Sequence, residues 1–270
     1  MKTIISSFLF LLVSCGGNDF KEVEELNTFR VLAIVSDNPE VAPGGNSNLQ
    51  LFVADPLGEG RLISGTYEGC IDPGISFGAS VSCEHDPNVI TGNFNIDTNS
   101  LTPSGTFYTG LTQTLPVSVP ATIHVGRSSR EKFNGVGYIV IFKFTIDGKE
   151  VKSFKRIIAT DRGSLNTNPL GGEIRVNNGN IGSSLMEGDS LKAVGVTPET
   201  YDYITVEGTS ETRSEDIGVA WYTTDGKFTR SKTDLNEETE YEDSTKEEVL
   251  LISIIRDDRG GVEVLREALP

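Results

Sequence analysis

The chain is poor in the side chains from which catalytic sites are most often assembled. Two histidines, His85 and His124, occur in 270 residues, so a Ser-His-Asp or Cys-His arrangement has to use one of them. His124 falls inside a β-rich run and reads as a strand residue; His85 lies in the loop after Cys83. There is no G-x-S-x-G elbow, no H-E-x-x-H pair and no P-loop. Positive charge is short as well. Asp and Glu number 39 against 23 Lys and Arg, for a formal charge of -16. Phosphate backbones and anionic headgroup surfaces repel such a chain, which argues against nucleic acid and against charge-driven membrane binding. Carboxylates are so abundant that no single pair stands out as a catalytic dyad. The N-terminal apolar run, Ile4 to Val13, falls well short of the roughly 20 residues of a spanning helix. No segment keeps a 3.6-residue apolar period between caps, so a helical fold is not expected.

What is present begins at the N-terminus. Met1-Lys2, the run from Ile4 to Val13 and the small residue Ser14 describe a secretory signal. Leu12-Val13-Ser14-Cys15 fits [LVI]-x-[small]-Cys and resembles the lipobox of bacterial lipoproteins. The resemblance implies removal of residues 1–14, acylation of Cys15 and a flexible tether over 15–25. One acyl chain binds a membrane only marginally, whereas two or three on one cysteine hold durably. Gly16, rather than Asp, after the cysteine implies the outer membrane by resemblance to enterobacterial sorting. The protein is therefore expected in the cell envelope, held to the membrane by lipid.

Export also decides the other two cysteines. In an oxidising compartment Cys70 and Cys83 are expected to form a disulfide, and closing a loop of about 15 residues stabilises by roughly 3 kcal/mol. The alternative is two free buried thiols. A metal site is the poorer reading, because only His85 is nearby as a further ligand. No cofactor and no metal are expected.

The rest reads as strands between turns, an all-β sandwich pattern. Leu26 to Val35, Leu49 to Val53, Arg61 to Tyr67 and Ala121 to Val125 are β-rich, whereas Ile71 to Pro116 is loop-rich with irregular strands. The clearest local signal is Gly137 to Ile146 and Lys149 to Ile158 around Asp147-Gly148, a tight hairpin of the primed type. Asp161 to Gly172 is hydrophilic, with Asn168-Pro169, and reads as the linker between a domain at 26–160 and another at 173–270. In the second, Ile217 to Thr224 turns at Asp225-Gly226 into Lys227-Phe228-Thr229. Val249 to Ile255, its most apolar run, should be the central strand, and Arg256 to Gly261 turns it into a last strand, Val262 to Arg266. Trp221 reads as core rather than as a ligand platform. The acidic stretch 234–248 reads as a solvated loop, with calcium binding as its alternative. Asp257-Asp258 reads as a turn in which Gly260-Gly261 supply positive φ.

Several of these segments together resemble lipoproteins of predatory and social Gram-negative bacteria. They are Arg30-Val31-Leu32-Ala33-Ile34, Asn38-Pro39-Glu40-Val41-Ala42-Pro43-Gly44, Val53-Ala54-Asp55-Pro56-Leu57-Gly58 and Tyr67-Glu68-Gly69-Cys70. In the second half the match continues through Trp221 to Phe228 and Ile255 to Gly261. That family often carries Trp where this chain has Tyr67. The resemblance implies two tandem immunoglobulin-like sandwiches behind a lipid anchor and no defined activity. The expected function is a non-catalytic surface structural or adhesion module whose partner is an envelope or surface protein or a glycan. An accessory subunit of an envelope or secretion complex, facing the periplasm, is the alternative. A hydrolase using scattered carboxylates comes third.

Overall fold

A computed structural model of the chain describes residues 25–56, 61–73, 81–104, 107–146, 148–182, 184–243 and 249–269. The signal, Cys15 and the tether up to residue 24 lie outside them, as do residues 244–248 of the acidic stretch. The first half carries β1 (Arg30–Ser36), β2 (Glu40–Val41), β3 (Asn46–Asp55), β4 (Leu62–Ile71), β5 (Ile90–Asp97), β6 (Thr102–Ser104), β7 (Phe107–Leu111), β8 (Leu115–Ser118), β9 (Val136–Ile146) and β10 (Lys149–Ala159), with one short helix, α1 (Ser129–Asn134). The second half carries β11 (Glu173–Val176), β12 (Gly179–Asn180), β13 (Ser190–Val194), β14 (Thr200–Ile204), β15 (Ser210–Ser214), β16 (Ile217–Thr223), β17 (Lys227–Phe228), β18 (Lys232–Asp234), β19 (Thr239–Glu242), β20 (Val249–Asp257) and β21 (Val262–Leu269). The fold is an all-β sandwich.

Four sheets lie face to face. The outermost, β2-β10-β9-β4-β5, shares a core with β1-β3-β7-β6, on which β8 also pairs with β3. The sheet β18-β16-β20-β21 shares a second core with β12-β11-β13-β19-β17. A third apolar cluster joins the two inner sheets: Leu32, Phe52 and Ala54 meet Ala220, Leu250, Ile252 and Ile254. Alternation explains how one strand serves two cores. In β20, Leu251 and Ile255 face the second core while Leu250, Ile252 and Ile254 face the first half. This is why Val249 to Ile255 reads as a continuous apolar run and sits between β16 and β21. In β1 a register shift between Val31 and Ala33 turns both Leu32 and Ala33 toward that same interface.

The β9–β10 hairpin is present, pairing Ile146 with Lys149 and Val136 with Ala159, and Gly148 takes φ +75° at its turn. Trp221 is fully buried, and its indole nitrogen donates to Thr233 Oγ1 at 3.1 Å. Cys70 and Cys83 are disulfide-bonded with Cα atoms 5.7 Å apart, packed over Ile139 and Ile141 on the outer face of β9.

Two expectations need correction, and three further features were not anticipated. Ala121 to Val125 forms no strand. It is a run of turns after Pro120, with Ile123 N–H donating to Pro120 O and Val125 N–H to Thr122 O, so Ile123 alone of its β-branched residues enters the core while Thr122 and Val125 face outward. The stretch Ile71 to Pro116 is more regular than its composition implies. β5 pairs with β4 from Ile90 to Asp97, and only Phe94 and Ile96 turn inward, so this edge strand shows solvent a loop-like polar face. A helix exists at α1, closed by a capping box between Ser128 and Glu131. The tether read over 15–25 is already docked at its end: Glu25 bridges Thr223, and Leu26 is buried in the third cluster. The turn at Asp225-Gly226 also carries the chain across the core, because β17 pairs with β19 of the opposite sheet and not with β16.

Candidate functional site

The two histidines stand apart and serve the backbone. His85 is exposed with Nε2 3.2 Å from Ile71 O. His124 sits in the turns after Pro120, not in a strand, with Nε2 3.1 Å from Ala159 O and Nδ1 3.3 Å from Asp161 Oδ1. Among the described residues no group of three or more His, Cys, Asp or Glu is placed to hold a metal ion. The described part of 234–248 is no continuous loop: it contains the end of β18 and all of β19, with Thr239 and Tyr241 buried. None of these places gathers chemistry.

The junction of the two halves does. Glu40 opens β2 and is 2 % exposed. Its Oε2 accepts the Asn166 backbone N–H at 2.6 Å and pairs with Arg259 Nη2, while Arg162 Nη2 lies 3.1 Å from Oε1. Arg259, in the β20–β21 turn, also reaches Glu215 Oε1 at 3.3 Å and Glu199 Oε2 at 3.8 Å. Tyr201 on β14 lies under both guanidinium groups, with centroid distances of 5.2 Å to Arg162 and 4.7 Å to Arg259. Asp257 is held by Asn166 Nδ2, Arg259 N–H and Gly261 N–H. Turn formation was the expectation for Asp257, and Gly260 has φ +99° whereas Gly261 lacks the positive φ expected of it; the contact of Asp257 across to Asn166 was not expected.

Residues 161–172 are therefore not a loose linker in this region. Arg162 donates to Phe133 O and Asn134 O, Asn168 donates to Ser36 O and accepts from Val262 N–H, and Asn166 is buried. On the other side Asn134 exchanges two hydrogen bonds with Ile204.

Burial sets the electrostatics. It lifts the Glu215 carboxyl above its ordinary value, against the Glu199 N–H bond and Arg259, and it lowers the Arg162 guanidinium against Glu40. Tyr201 is raised by burial and then by Asp258, whose Oδ2 its hydroxyl approaches at 3.3 Å. Glu40, Arg162, Glu215 and Arg259 each have an opposite partner there, an arrangement that fixes orientation. A recess of about 260 Å³ opens beside it, lined by Thr167, Asn168, Glu199 and Glu215 among others.

Sequence reasoning missed this cluster. In so acidic a chain Glu40 and Glu215 look like any other carboxylate, and the partners are separated by up to 219 positions. Lys155, which lies outside the cluster, did carry a signal: period-2 alternation places it on the same face of β10 as Ile157 and Ala159, both of the core.

No protein-family model matches the chain, and no curated protein matches it. Among solved structures, a transglutaminase of red sea bream aligns with 89% of this chain at 8% identity and a TM-score of 0.27. The aligned region spans 31% of that chain. A likeness at this level carries no argument about what the protein does.

Proposed function

We propose that the protein is a lipid-anchored cell-envelope protein, tethered through Cys15, that acts as a non-catalytic structural or binding module. Its partner is an envelope or surface protein or a glycan, and its membrane is the outer one. The observation that most supports this reading is the burial of β20 on both faces, which joins the sheets into one stiff stack. A stiff stack held at one end suits a spacer or a presenting platform, an inference from architecture alone. The signal and lipobox at residues 1–15 supply the address. Tandem immunoglobulin-like units at 26–160 and 173–270 remain the working division of the chain.

Cys15→Ala should move the protein from the membrane to the soluble fraction and abolish fatty-acid labelling. Retention on membranes with the label intact, or wild-type protein found in the cytosol with Met1 still attached, would overturn the anchor. Protease added to whole cells then separates the two roles. Degradation places the protein on the surface, as an adhesion module requires; full protection favours the accessory subunit facing the periplasm.

A further inference from the structure

A second opening at the junction has the opposite charge from the rest of the molecule. It is a cleft of about 350 Å³ between the halves, with a floor from Leu32 to Ile34 of β1. Its walls come from Phe154, Lys155 and Arg156 of β10 and from Arg256, Asp257, Gly260, Gly261 and Val262 of the β20–β21 corner. Lys155 is 7 % exposed, and one of its three ammonium donors goes to Gly260 O. No carboxylate is within ion-pair distance of that ammonium among the described residues. Arg256 closes the inner end, donating to Leu32 O at 2.6 Å. Arg156 sits at the rim, paired with Asp72.

Charge counting defines the occupant. Lys155, Arg156 and Arg256 bring three positive charges. Asp72 is engaged by Arg156, and Asp257 by Asn166 and two backbone N–H groups. The cleft is left one negative charge short of neutrality, in a chain whose formal charge is -16. Asp257 acts on the Lys155 ammonium through space but makes no ion pair with it, and Arg256 works against it; a buried cation so weakly compensated is costly and is a recurrent mark of a binding site. The volume is that of a small-ligand pocket. Leu32, Ile34, Phe154 and Val262 add apolar wall, and Phe154 is 46 % exposed there.

We propose that this cleft binds a small organic monocarboxylate, whose carboxylate accepts from Lys155 Nζ and whose body lies against Phe154 and β1. Burial lowers the Lys155 ammonium to about 8, which an arriving carboxylate would reverse. The proposal does not depend on where the protein is anchored.

Isothermal titration of the full-length chain with D-glucuronate, with D-glucose as the neutral control and inorganic phosphate as the anion control, tests it. Glucuronate should bind and release heat while glucose does not, and Lys155→Met should weaken glucuronate at least tenfold. Equal binding of glucose, binding of phosphate alone, no binding of glucuronate, or undiminished binding by Lys155→Met would each overturn the proposal. Hydrogen exchange on the unsubstituted chain reads the same site without a variant. Glucuronate should protect 153–156 and 256–262, and protection confined to other segments would count against the cleft.

Discussion

At the residue scale, the junction holds two kinds of buried charge with opposite consequences. Arg259 touches Glu40, Glu215 and the Tyr201 ring, so Arg259→Met leaves buried Glu215 without its cation and buried Glu40 with Arg162 alone. Removing one partner of a buried ion pair costs about 3–5 kcal/mol, and urea unfolding at pH 7 should show a loss of that size. A loss below about 1 kcal/mol would mean that the cluster is solvated in solution. Lys155 is the converse case. Its ammonium is lowered from 10.5 to about 8 by burial, opposed by Asp257 and reinforced by Arg256. Below pH 8 the folded and unfolded states are both charged and the penalty is fully present. It is relieved as pH rises from 8 toward 10.5, where the unfolded chain binds more protons. Linkage makes the penalty on the order of 3 kcal/mol, from which the lost Gly260 bond takes back about 1 kcal/mol. Lys155→Met should therefore be the more stable protein at pH 7, with an advantage that shrinks between pH 8 and 10. A difference independent of pH over that range would show the amine to be solvated. A substitution that strengthens the fold by removing a charge marks that charge as kept for some other purpose.

At the scale of elements, local patterns were readable where one chemical cause dominates. Asp147-Gly148 between β-branched runs specified the β9–β10 hairpin, and sequence proximity with the expectation of export pointed to Cys70–Cys83. That disulfide closes a separation of 13 residues and covers Ile139 and Ile141. The double variant Cys70→Ala, Cys83→Ala should lose about 2–4 kcal/mol in denaturant unfolding. Faster hydrogen exchange at 138–141 should accompany that loss, and unchanged exchange there would show that the loop does not shield β9. Patterns failed where a distant partner decides. Ala121 to Val125 has strand composition but no neighbour to complete a ladder, so His124 and Ile123 are used one at a time. β5 was hidden by its polar outward face, and α1 by its brevity, although Ser128 and Glu131 stood at capping-box spacing. The junction was least legible of all. Glu40, Arg162, Glu215 and Arg259 come from four separate segments, and nothing local distinguishes them from surface charge.

At the scale of the whole molecule, the question is whether either half is stable without the other. Leu26, Leu32, Phe52, Leu250, Ile252 and Ile254 all bury themselves in the cluster between the inner sheets. At about 1.5–3 kcal/mol for each large apolar side chain, opening that interface costs on the order of 10 kcal/mol. The total stability of a domain is about 5–15 kcal/mol, so the interface is comparable to everything else a half possesses. Opening it also separates Arg259 from Glu40 and Lys155 from Gly260. The halves should then unfold together. Scanning calorimetry of the chain should give one transition whose calorimetric and van't Hoff enthalpies agree. Ile252→Ala, at a position with no exposure, should lower that single transition by about 2–5 kcal/mol of stability without dividing it. Two resolved transitions in the unsubstituted chain would instead show sandwiches that merely touch. The stiffness on which the platform reading rests would then be lost, whereas the anchor at Cys15 would be untouched by that result.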